Sequence, residues 1–244
     1  MTQMSQPITL LELPELKEGI FIERPNRYLA KVEVDGELET VHVHDPGRLK
    51  ELLYPENPCY IKWAAAEKRK TDWDMILAKK GGEWILVHSG YHRYIAEAIL
   101  NLETSPFGLL SGYQPEVKIG HSRLDFKLQT TSGNVVWVEV KGCSLSVDGL
   151  AKFPDAPTDR GRRHLEELMT IVQERKERAA VLLLILSEAE SFEPNYETDP
   201  KFYRTFYEAL ASGVEVYPCN VVYDEEKRAF VYKGILSIEE RRYE

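Results

Sequence analysis

The sequence predicts an α/β protein of 244 residues in which a small β-barrel is followed by a layered domain with a mixed sheet. Two observations predict this division. Short segments that alternate apolar and polar residues dominate before Gly90, and helical and strand patterns alternate after it. The length suits two domains of ordinary size, which we place at residues 1–88 and 89–244.

The first part is predicted to contain five short strands. Segments 28–34 and 38–43 alternate around Asp35-Gly36, a strong hairpin turn because glycine tolerates positive φ. One or two helical turns are expected near residue 50. The remaining strands are predicted at residues 59–65, 73–79 and 83–87. Five strands around a small helix indicate an OB-like barrel, with an SH3-like barrel as the alternative.

The second part predicts elements in the order αβββαβαβ. Its first helix carries an apolar stripe at Ile95, Ala98, Ile99 and Leu102. Thr158 is a good N-cap for the second helix. We place the helices and strands at residues 91–102, 116–119, 123–129, 135–141, 158 onward, 180–186, 200–211, 214–222 and 229–233, and a loop at 143–157. This pattern is typical of helices packed on a mixed sheet.

The net charge of −9 is unevenly distributed along the chain. Residues 187–200 hold five acidic side chains and no basic one, whereas residues 62–80 hold six basic and three acidic side chains. Salt screens charges beyond about 8 Å, so a local basic surface can bind a polyanion on an acidic protein. Composition therefore leaves nucleic-acid binding open.

Cysteine usage and hydropathy indicate the compartment. No apolar run approaches the roughly 20 residues of a membrane helix, and the N-terminus lacks a secretory pattern. Cys59, Cys143 and Cys219 are far apart and show no zinc-binding spacing. We interpret them as buried residues of a reducing compartment, and expect a cytoplasmic protein without membrane contact.

The candidate catalytic residues lie on the predicted hairpin of the second and third strands of the second part, residues 123–129 and 135–141. Side chains alternate faces along a strand, so Glu139 and Lys141 share a face, and Asp125 on the partner strand can share it too. Glu97, on the preceding helix and off its apolar stripe, is a further candidate. The opposite face of the first hairpin strand is predicted to hold Leu124, Phe126 and Leu128.

This pattern suits metal-assisted phosphodiester hydrolysis. Carboxylates of Asp125 and Glu139, with the backbone carbonyl of Val140, are ligands that Mg²⁺ or Mn²⁺ prefers. A bound metal ion activates water, and Lys141 can orient that water or stabilise the transition state. Glu-x-Lys spacing alone is weak, since it recurs at Glu116 and elsewhere. The alternative is an exposed hairpin face with surface ion pairs.

Two further regions are predicted to contact phosphate. A stiff segment at 153–158 opens the second helix, and a helix N-terminus with arginines beside it binds anions. In the barrel, bases accompany an aromatic residue, as in barrels that bind single strands. The candidate DNA-binding residues are Arg160, Arg163 and His164 on the helix, and Arg24, Arg27, Tyr28, Arg48, Lys68, Arg69 and Lys70 in the barrel.

Five motifs occur in order along the chain: Arg24-Pro25-Asn26-Arg27-Tyr28, His44-Asp45-Pro46-Gly47-Arg48-Leu49, Ser122-Arg123-Leu124-Asp125-Phe126, Val138-Glu139-Val140-Lys141, and Phe153-Pro154-Asp155-Ala156-Pro157-Thr158 with Arg160-Gly161 and His164. Together they resemble the sugar fermentation stimulation protein A (SfsA) family over residues 16–238. The resemblance implies an N-terminal OB-like domain and a C-terminal PD-(D/E)xK (restriction-endonuclease-like) αβββαβ domain. It also implies sequence-nonspecific DNA binding and an association with regulation of sugar-utilisation genes.

By the same resemblance, Asp125, Glu139 and Lys141 take the positions of the nuclease motif, and Glu97 is the candidate acid of the first helix. Leu124 stands where the motif's name has Pro, which leaves the metal ligands intact. The family name describes a phenotype and not a reaction.

Three functions follow as hypotheses. The first is a DNA-binding protein with a Mg²⁺- or Mn²⁺-dependent nuclease site. The second is a DNA-binding accessory protein for transcription, without catalysis. The third is an RNA-binding or RNA-processing protein, because OB barrels also bind RNA. The sequence leaves the oligomeric state open, a dimer included.

Overall fold

The computed structural model describes residues 7–45, 47–120 and 122–243. Pro46, in the His44–Leu49 motif, lies outside the described residues. In chain order the elements are β1 (Ile8–Glu12), β2 (Lys17–Asn26), β3 (Leu29–Val34), β4 (Glu37–His42), β5 (Pro58–Trp63), β6 (Trp73–Lys80), β7 (Glu83–Leu86), α1 (Tyr91–Leu100), β8 (Leu110–Ile119), β9 (Ser122–Thr130), β10 (Val135–Cys143), β11 (Ser146–Val147), β12 (Leu150–Phe153), α2 (Asp159–Thr170), β13 (Arg178–Ile185), β14 (Ser191–Pro194), α3 (Pro200–Ala211), β15 (Glu215–Asp224), β16 (Ala229–Ile235) and β17 (Ser237–Ile238).

The N-terminal part is a closed OB-like barrel, as the sequence predicts. Strands β2 to β6 pair around it, and a parallel contact of β4 with β6 closes the ring. Strand β7 pairs with β6 outside that ring. The predicted set of five barrel strands was wrong at its first member, because β2 was not predicted and β7 was counted instead. The alternation of β2 is interrupted by Gly19 and Pro25 and by irregular pairing with β3.

The predicted helical turns near residue 50 are one hydrogen-bonded turn. The amide of Leu53 donates to the carbonyl of Leu49 at 2.7 Å, and no longer helix forms there. Leu49 has a φ of 46°, a left-handed value at the first residue of the turn, so the turn does not extend toward the N-terminus as an α-helix.

The C-terminal part is a seven-stranded mixed sheet in the order β1-β16-β15-β13-β10-β9-β8. Its centre, β10, β13 and β15, is parallel, and both sides of that centre are antiparallel. The mixed sheet and the predicted helix order are therefore confirmed. Strand β1 also joins this sheet, so the chain enters the C-terminal sheet before it builds the barrel. The division at residue 88 stays a prediction.

Both faces of the sheet are covered. On one face Ile95 and Ile99 of α1 pack with Leu77 of the barrel against Phe126. On the other face α2 and α3 pack, with Leu168 among the buried residues. Thr158 caps α2 as predicted, since its hydroxyl accepts a hydrogen bond from the amide of Gly161 at 2.9 Å. The barrel and α1 thus share a core, which fixes α1 between the barrel and the sheet.

A small second sheet, in the order β11-β12-β14-β17, was not predicted. Strands β11 and β12 lie in the segment that the sequence predicts as a loop, and β14 lies in the acidic segment. Each of the four has two to four residues, too few to show a period.

One face assignment on the hairpin was wrong. Leu124 packs with Trp137 on the α2 side of the sheet, whereas Phe126 and Leu128 pack on the α1 side. The alternation of side chains between the two faces of the sheet is therefore interrupted at Asp125, between Leu124 and Phe126. The pairing of β9 with β10 ends at Phe126 opposite Val138, which frees the chain from strict alternation beyond that point.

The described residues include no helix long and apolar enough to cross a membrane. Cys59, Cys143 and Cys219 are all buried and free, as expected from their spacing.

Candidate active site

Asp125 lies where β9 and β10 separate. Its Oδ2 accepts a hydrogen bond from the backbone N–H of Val140 at 2.7 Å, in place of a ladder bond between the two strands. In an extended strand the N–H and C=O of one residue point to the same side. The Val140 carbonyl therefore also points toward the gap that Asp125 occupies.

Glu139 is held by two basic side chains on the α2 side of β10. Its Oε1 contacts both Lys141 Nζ and His164 Nδ1. Lys141 Nζ and His164 Nδ1 are 3.2 Å apart. His164 therefore either carries a proton on Nδ1 and donates it to Glu139, or accepts a hydrogen bond from Lys141. Glu139 and His164 are both buried, so this arrangement is shielded from water.

The other oxygen of Glu139 has no partner. Glu139 Oε2 is buried and makes no hydrogen bond in the part of the chain that the structure describes. A buried carboxylate oxygen without a partner costs free energy, because it has lost its water. A cation at this oxygen would offset that cost.

The two carboxylates have opposite pKa shifts. Burial, and then the neighbouring charge of Glu139, raise the pKa of Asp125. Burial alone would also raise the pKa of Glu139, but the hydrogen bond from His164 and the charge of Lys141 outweigh it and lower that pKa. Asp125 and Glu139 therefore repel each other in a site of low polarity. A divalent cation between them would relieve this repulsion.

These residues fit a hard divalent cation. Two carboxylates and a backbone carbonyl form an all-oxygen set, which Mg²⁺, Mn²⁺ and Ca²⁺ prefer over softer ligands. Three or more His, Cys, Asp or Glu side chains do not meet as a metal cluster anywhere in the described ranges. With two carboxylates and one carbonyl as ligands, a six-coordinate ion would keep positions for water and for phosphate oxygen.

The structure does not bring Glu97 into the cleft that Asp125 lines. Glu97 accepts a hydrogen bond of 3.0 Å from Arg93, and Arg93 lines the cleft with Asp125. The acid that lines the cleft is Glu116, which the sequence reading treated as a chance Glu-x-Lys match. Glu116 has a φ of 54° in a strand, a local irregularity that the sequence does not signal.

The predicted phosphate-binding residues of α2 come together beside this site. Arg160, Arg163 and His164 line one cleft of about 320 Å³, with Ser122 and Arg123. Arg123 was not predicted, although it lies two residues from Asp125 on β9. His164 lines this cleft and also contacts Glu139. A cleft with three arginines suits an anion.

The predicted barrel residues divide into two groups. The guanidinium of Arg24 donates to four backbone carbonyls, of which Gly47 is at 2.7 Å, so it holds the motif loop in place. Arg69 is paired with Asp74. The other exposed residues of the predicted set are Arg27, Tyr28, Arg48, Lys68 and Lys70. Their role in DNA binding stays a prediction.

Helix α1 contacts the active-site strand directly. Gly142, the residue after Lys141, lies so close to His92 that a β-carbon there would be 2.3 Å from His92 Cε1. Ser89 and His92 line the cleft with Asp125. The start of α1 therefore forms one wall of the candidate site.

The barrel, the mixed sheet and the site at the separated strands define a protein with an OB domain joined to a domain of the restriction-endonuclease type. Family models agree: residues 22–87 match the SfsA N-terminal OB domain, and residues 90–227 match the sugar fermentation stimulation protein RE domain. The chain belongs to the sugar fermentation stimulation protein family.

Relatives match over nearly their whole length. The sugar fermentation stimulation protein homolog of Thermosipho melanesiensis is 42% identical over 93% of this chain and 96% of its own. The homolog of Methanococcoides burtonii is 42% identical over 94% of each chain. The solved structure of Pyrococcus furiosus SfsA in complex with Ca²⁺ superposes with a TM-score of 0.87 and 27% identity, covering 96% of this chain and 100% of that one.

Proposed function

We propose that this protein binds DNA without sequence preference and cleaves its phosphodiester bonds with the help of Mg²⁺ or Mn²⁺. The observation that carries the proposal is Oε2 of Glu139, which is buried and has no hydrogen-bond partner in the described part of the chain. The charge of Glu139 also contributes to the raised pKa of Asp125. The Ca²⁺ bound by the Pyrococcus furiosus relative supports a divalent cation, because Ca²⁺ and Mg²⁺ share oxygen ligands.

Asp125, Glu139 and the Val140 carbonyl would hold the metal ion. A bound divalent ion lowers the pKa of a water ligand and neutralises charge on the phosphate. Lys141 places its ammonium beside Glu139, where it stabilises negative charge on the reacting phosphate. His164 fixes the orientation of Glu139 from the other side.

The substrate backbone would lie along the arginine cleft. Arg123, Arg160 and Arg163 line it next to the metal-binding residues, so a phosphate bound there would lie beside the scissile one. Guanidinium groups recognise phosphate and not base identity, so this cleft predicts binding without sequence preference.

Plasmid cleavage tests the proposal. We expect purified protein to nick or cut plasmid in Mn²⁺ or Mg²⁺ and not in EDTA, and Asp125→Asn and Glu139→Gln to abolish cleavage. Asp72→Asn, at an exposed carboxylate of the barrel, is the control and should cut normally. Cleavage that persists in Asp125→Asn would come from a contaminant and remove the proposal.

The second candidate is DNA binding without catalysis. The contact of Lys141 with Glu139 favours it, because an ion pair can serve structure alone. It predicts DNA binding in EDTA and no cleavage with any metal. Competition between DNA and RNA strands of the same sequence would show whether RNA is the ligand, and preferential RNA binding would overturn both DNA proposals.

A further inference from the structure

Five aromatic rings form a continuous series across the junction of the barrel and α1. We call it the aromatic path: His42, His44, His88, Tyr91 and Tyr94. Successive ring centroids are 5.6, 4.3, 5.0 and 6.4 Å apart. The series begins in the last residue of β4, passes through the segment before α1 and ends on the first turn of that helix.

Two rings of the aromatic path are open to solvent. His44 is exposed, and Tyr94 keeps 58% of its surface accessible. The rings between them are partly buried and support the exposed ones. Ring contacts that served only to join the barrel to α1 would not need exposed rings at these positions. An exposed aromatic ring presents a face on which another flat group can stack.

The aromatic path lies against the candidate active site. The Ser89 hydroxyl is 3.1 Å from His44 Nδ1 and 3.2 Å from the His44 carbonyl oxygen. Ser89 also lines the cleft with Asp125. The first turn of α1 therefore carries path residues on one side and cleft residues on the other. A group stacked on His44 would therefore lie beside Ser89, one of the residues that line this cleft.

A positive charge accompanies the rings. Lys62 Nζ lies 5.7 Å from the centroid of the Tyr91 ring and 3.4 Å from its hydroxyl. Nucleic-acid surfaces that bind single strands combine stacking rings with lysine or arginine for the backbone. An apolar peptide would gain nothing from this lysine, and a duplex hides its base faces within its own stack.

We propose that the aromatic path binds unpaired nucleobases of a DNA strand and leads that strand into the active site. This rests on the proposed function and deepens it, since it assigns single-stranded DNA, or an unpaired stretch within a duplex, as the substrate class. Bases stack on His44 and Tyr94, and Lys62 neutralises a backbone phosphate. The arginine cleft binds phosphates on the other side of the site.

Binding to normal and abasic strands tests this directly. The probe is a fluorescent thymidine oligonucleotide of about 15 residues, a length that suits an OB domain. Its partner probe has the same length and phosphates but no bases. Fluorescence anisotropy is measured in EDTA, so that no cleavage occurs. We expect the full-length wild-type protein to bind the thymidine strand about tenfold more tightly than the abasic strand.

Variants separate stacking from charge. His44→Ala and Tyr94→Ala should each weaken thymidine-strand binding about tenfold and leave abasic binding unchanged. Tyr94→Phe keeps the ring and should bind like wild type. Tyr54→Ala removes a tyrosine of the barrel, 45% exposed and outside the path, and should also bind like wild type.

Equal wild-type affinity for the two strands would overturn the proposal. Equal loss of both affinities in His44→Ala and Tyr94→Ala would overturn it too, because that result indicates loss of fold or charge instead of stacking. The measurement does not depend on catalysis. A protein that discriminates between the strands but never cuts plasmid would keep the aromatic path and lose the nuclease.

Discussion

The carboxylate of Asp125 accepts a hydrogen bond of 2.7 Å from the backbone N–H of Val140. Strand β9 would normally supply a carbonyl to this position, but its pairing with β10 ends at Phe126. The aspartate thus replaces a ladder partner and stays at the gap between the strands. This single contact places the Asp125 carboxylate on the edge of β10 toward which the Val140 carbonyl points. Val140 is the residue after Glu139.

Lys141→Met should lower the cleavage rate while metal affinity stays nearly unchanged. The ammonium contacts Glu139 Oε1 and not the free Oε2, so the metal-binding oxygen is kept. Removing one charge that stabilises the transition state costs about 100-fold or more in rate. Initial rates and Mn²⁺ titration calorimetry measure the two effects separately.

The matched control is Lys127→Met. Lys127 is on the same hairpin, and its ammonium lies over the Trp137 ring at 5.0 Å. Its rate should equal that of wild type. If Lys141→Met cuts at the wild-type rate, the lysine has no catalytic role.

Replacing both Arg160 and Arg163 by Gln should reduce the salt dependence of DNA binding. Each phosphate contact releases counterions, so the slope of log affinity against log salt should fall in magnitude by about one per arginine. Arg162→Gln is the control on the same helical turn, since Arg162 is already paired at 3.1 Å with both Asp159 and Glu166. An unchanged slope in the double variant would place DNA elsewhere.

Gly142→Ala should destabilise the fold and disturb the site. The added β-carbon would lie 2.3 Å from His92 Cε1, so the ring must move against the start of α1. Overpacking of this kind costs about 1–3 kcal/mol in the free energy of unfolding. Gly112→Ala in β8 is the control, because its β-carbon meets nothing within 4 Å. Urea unfolding of both variants tests this, and equal stability would show that His92 is free to move.

Asp74→Asn should lower stability at neutral pH, and the difference should shrink in acid. Burial alone would raise the pKa of Asp74, but His88 and the ion pair with Arg69 outweigh burial and lower it far below its ordinary value. A lowered folded-state pKa contributes stability that is complete above the unfolded pKa, about 4, and is lost as pH falls below it.

We expect a loss of about 2 kcal/mol at pH 7 for Asp74→Asn, as for a buried charged hydrogen bond. Chemical unfolding at pH 7 and at pH 3 measures it. Asp72→Asn, at an exposed position on the same segment, should show little change at either pH. A difference that stays constant or grows on acidification would contradict the assignment.

Local patterns were sufficient to predict much of the fold. Alternation identified the hairpin of β9 and β10, and a side-chain oxygen at Thr158 identified the start of α2. The closeness of Glu139 to Lys141 follows from strand period alone.

Features that depend on distant contacts could not be predicted. Strand β1 pairs with β16 more than 200 residues later, and the short strands of the second sheet join separate segments. The interrupted alternation at Asp125 arises where β9 leaves β10, which no local pattern encodes. Glu116 enters the cleft through a left-handed backbone that Glu rarely adopts.

The most direct test is a crystal soaked in Mn²⁺ and measured at an anomalous wavelength. The proposed site predicts one strong anomalous peak within coordination distance, about 2.2 Å, of Asp125, Glu139 and the Val140 carbonyl. The same soak of Asp125→Asn should show no peak. A peak at another place, or none in wild-type crystals that diffract well, would contradict the metal-dependent site on which the proposed activity depends.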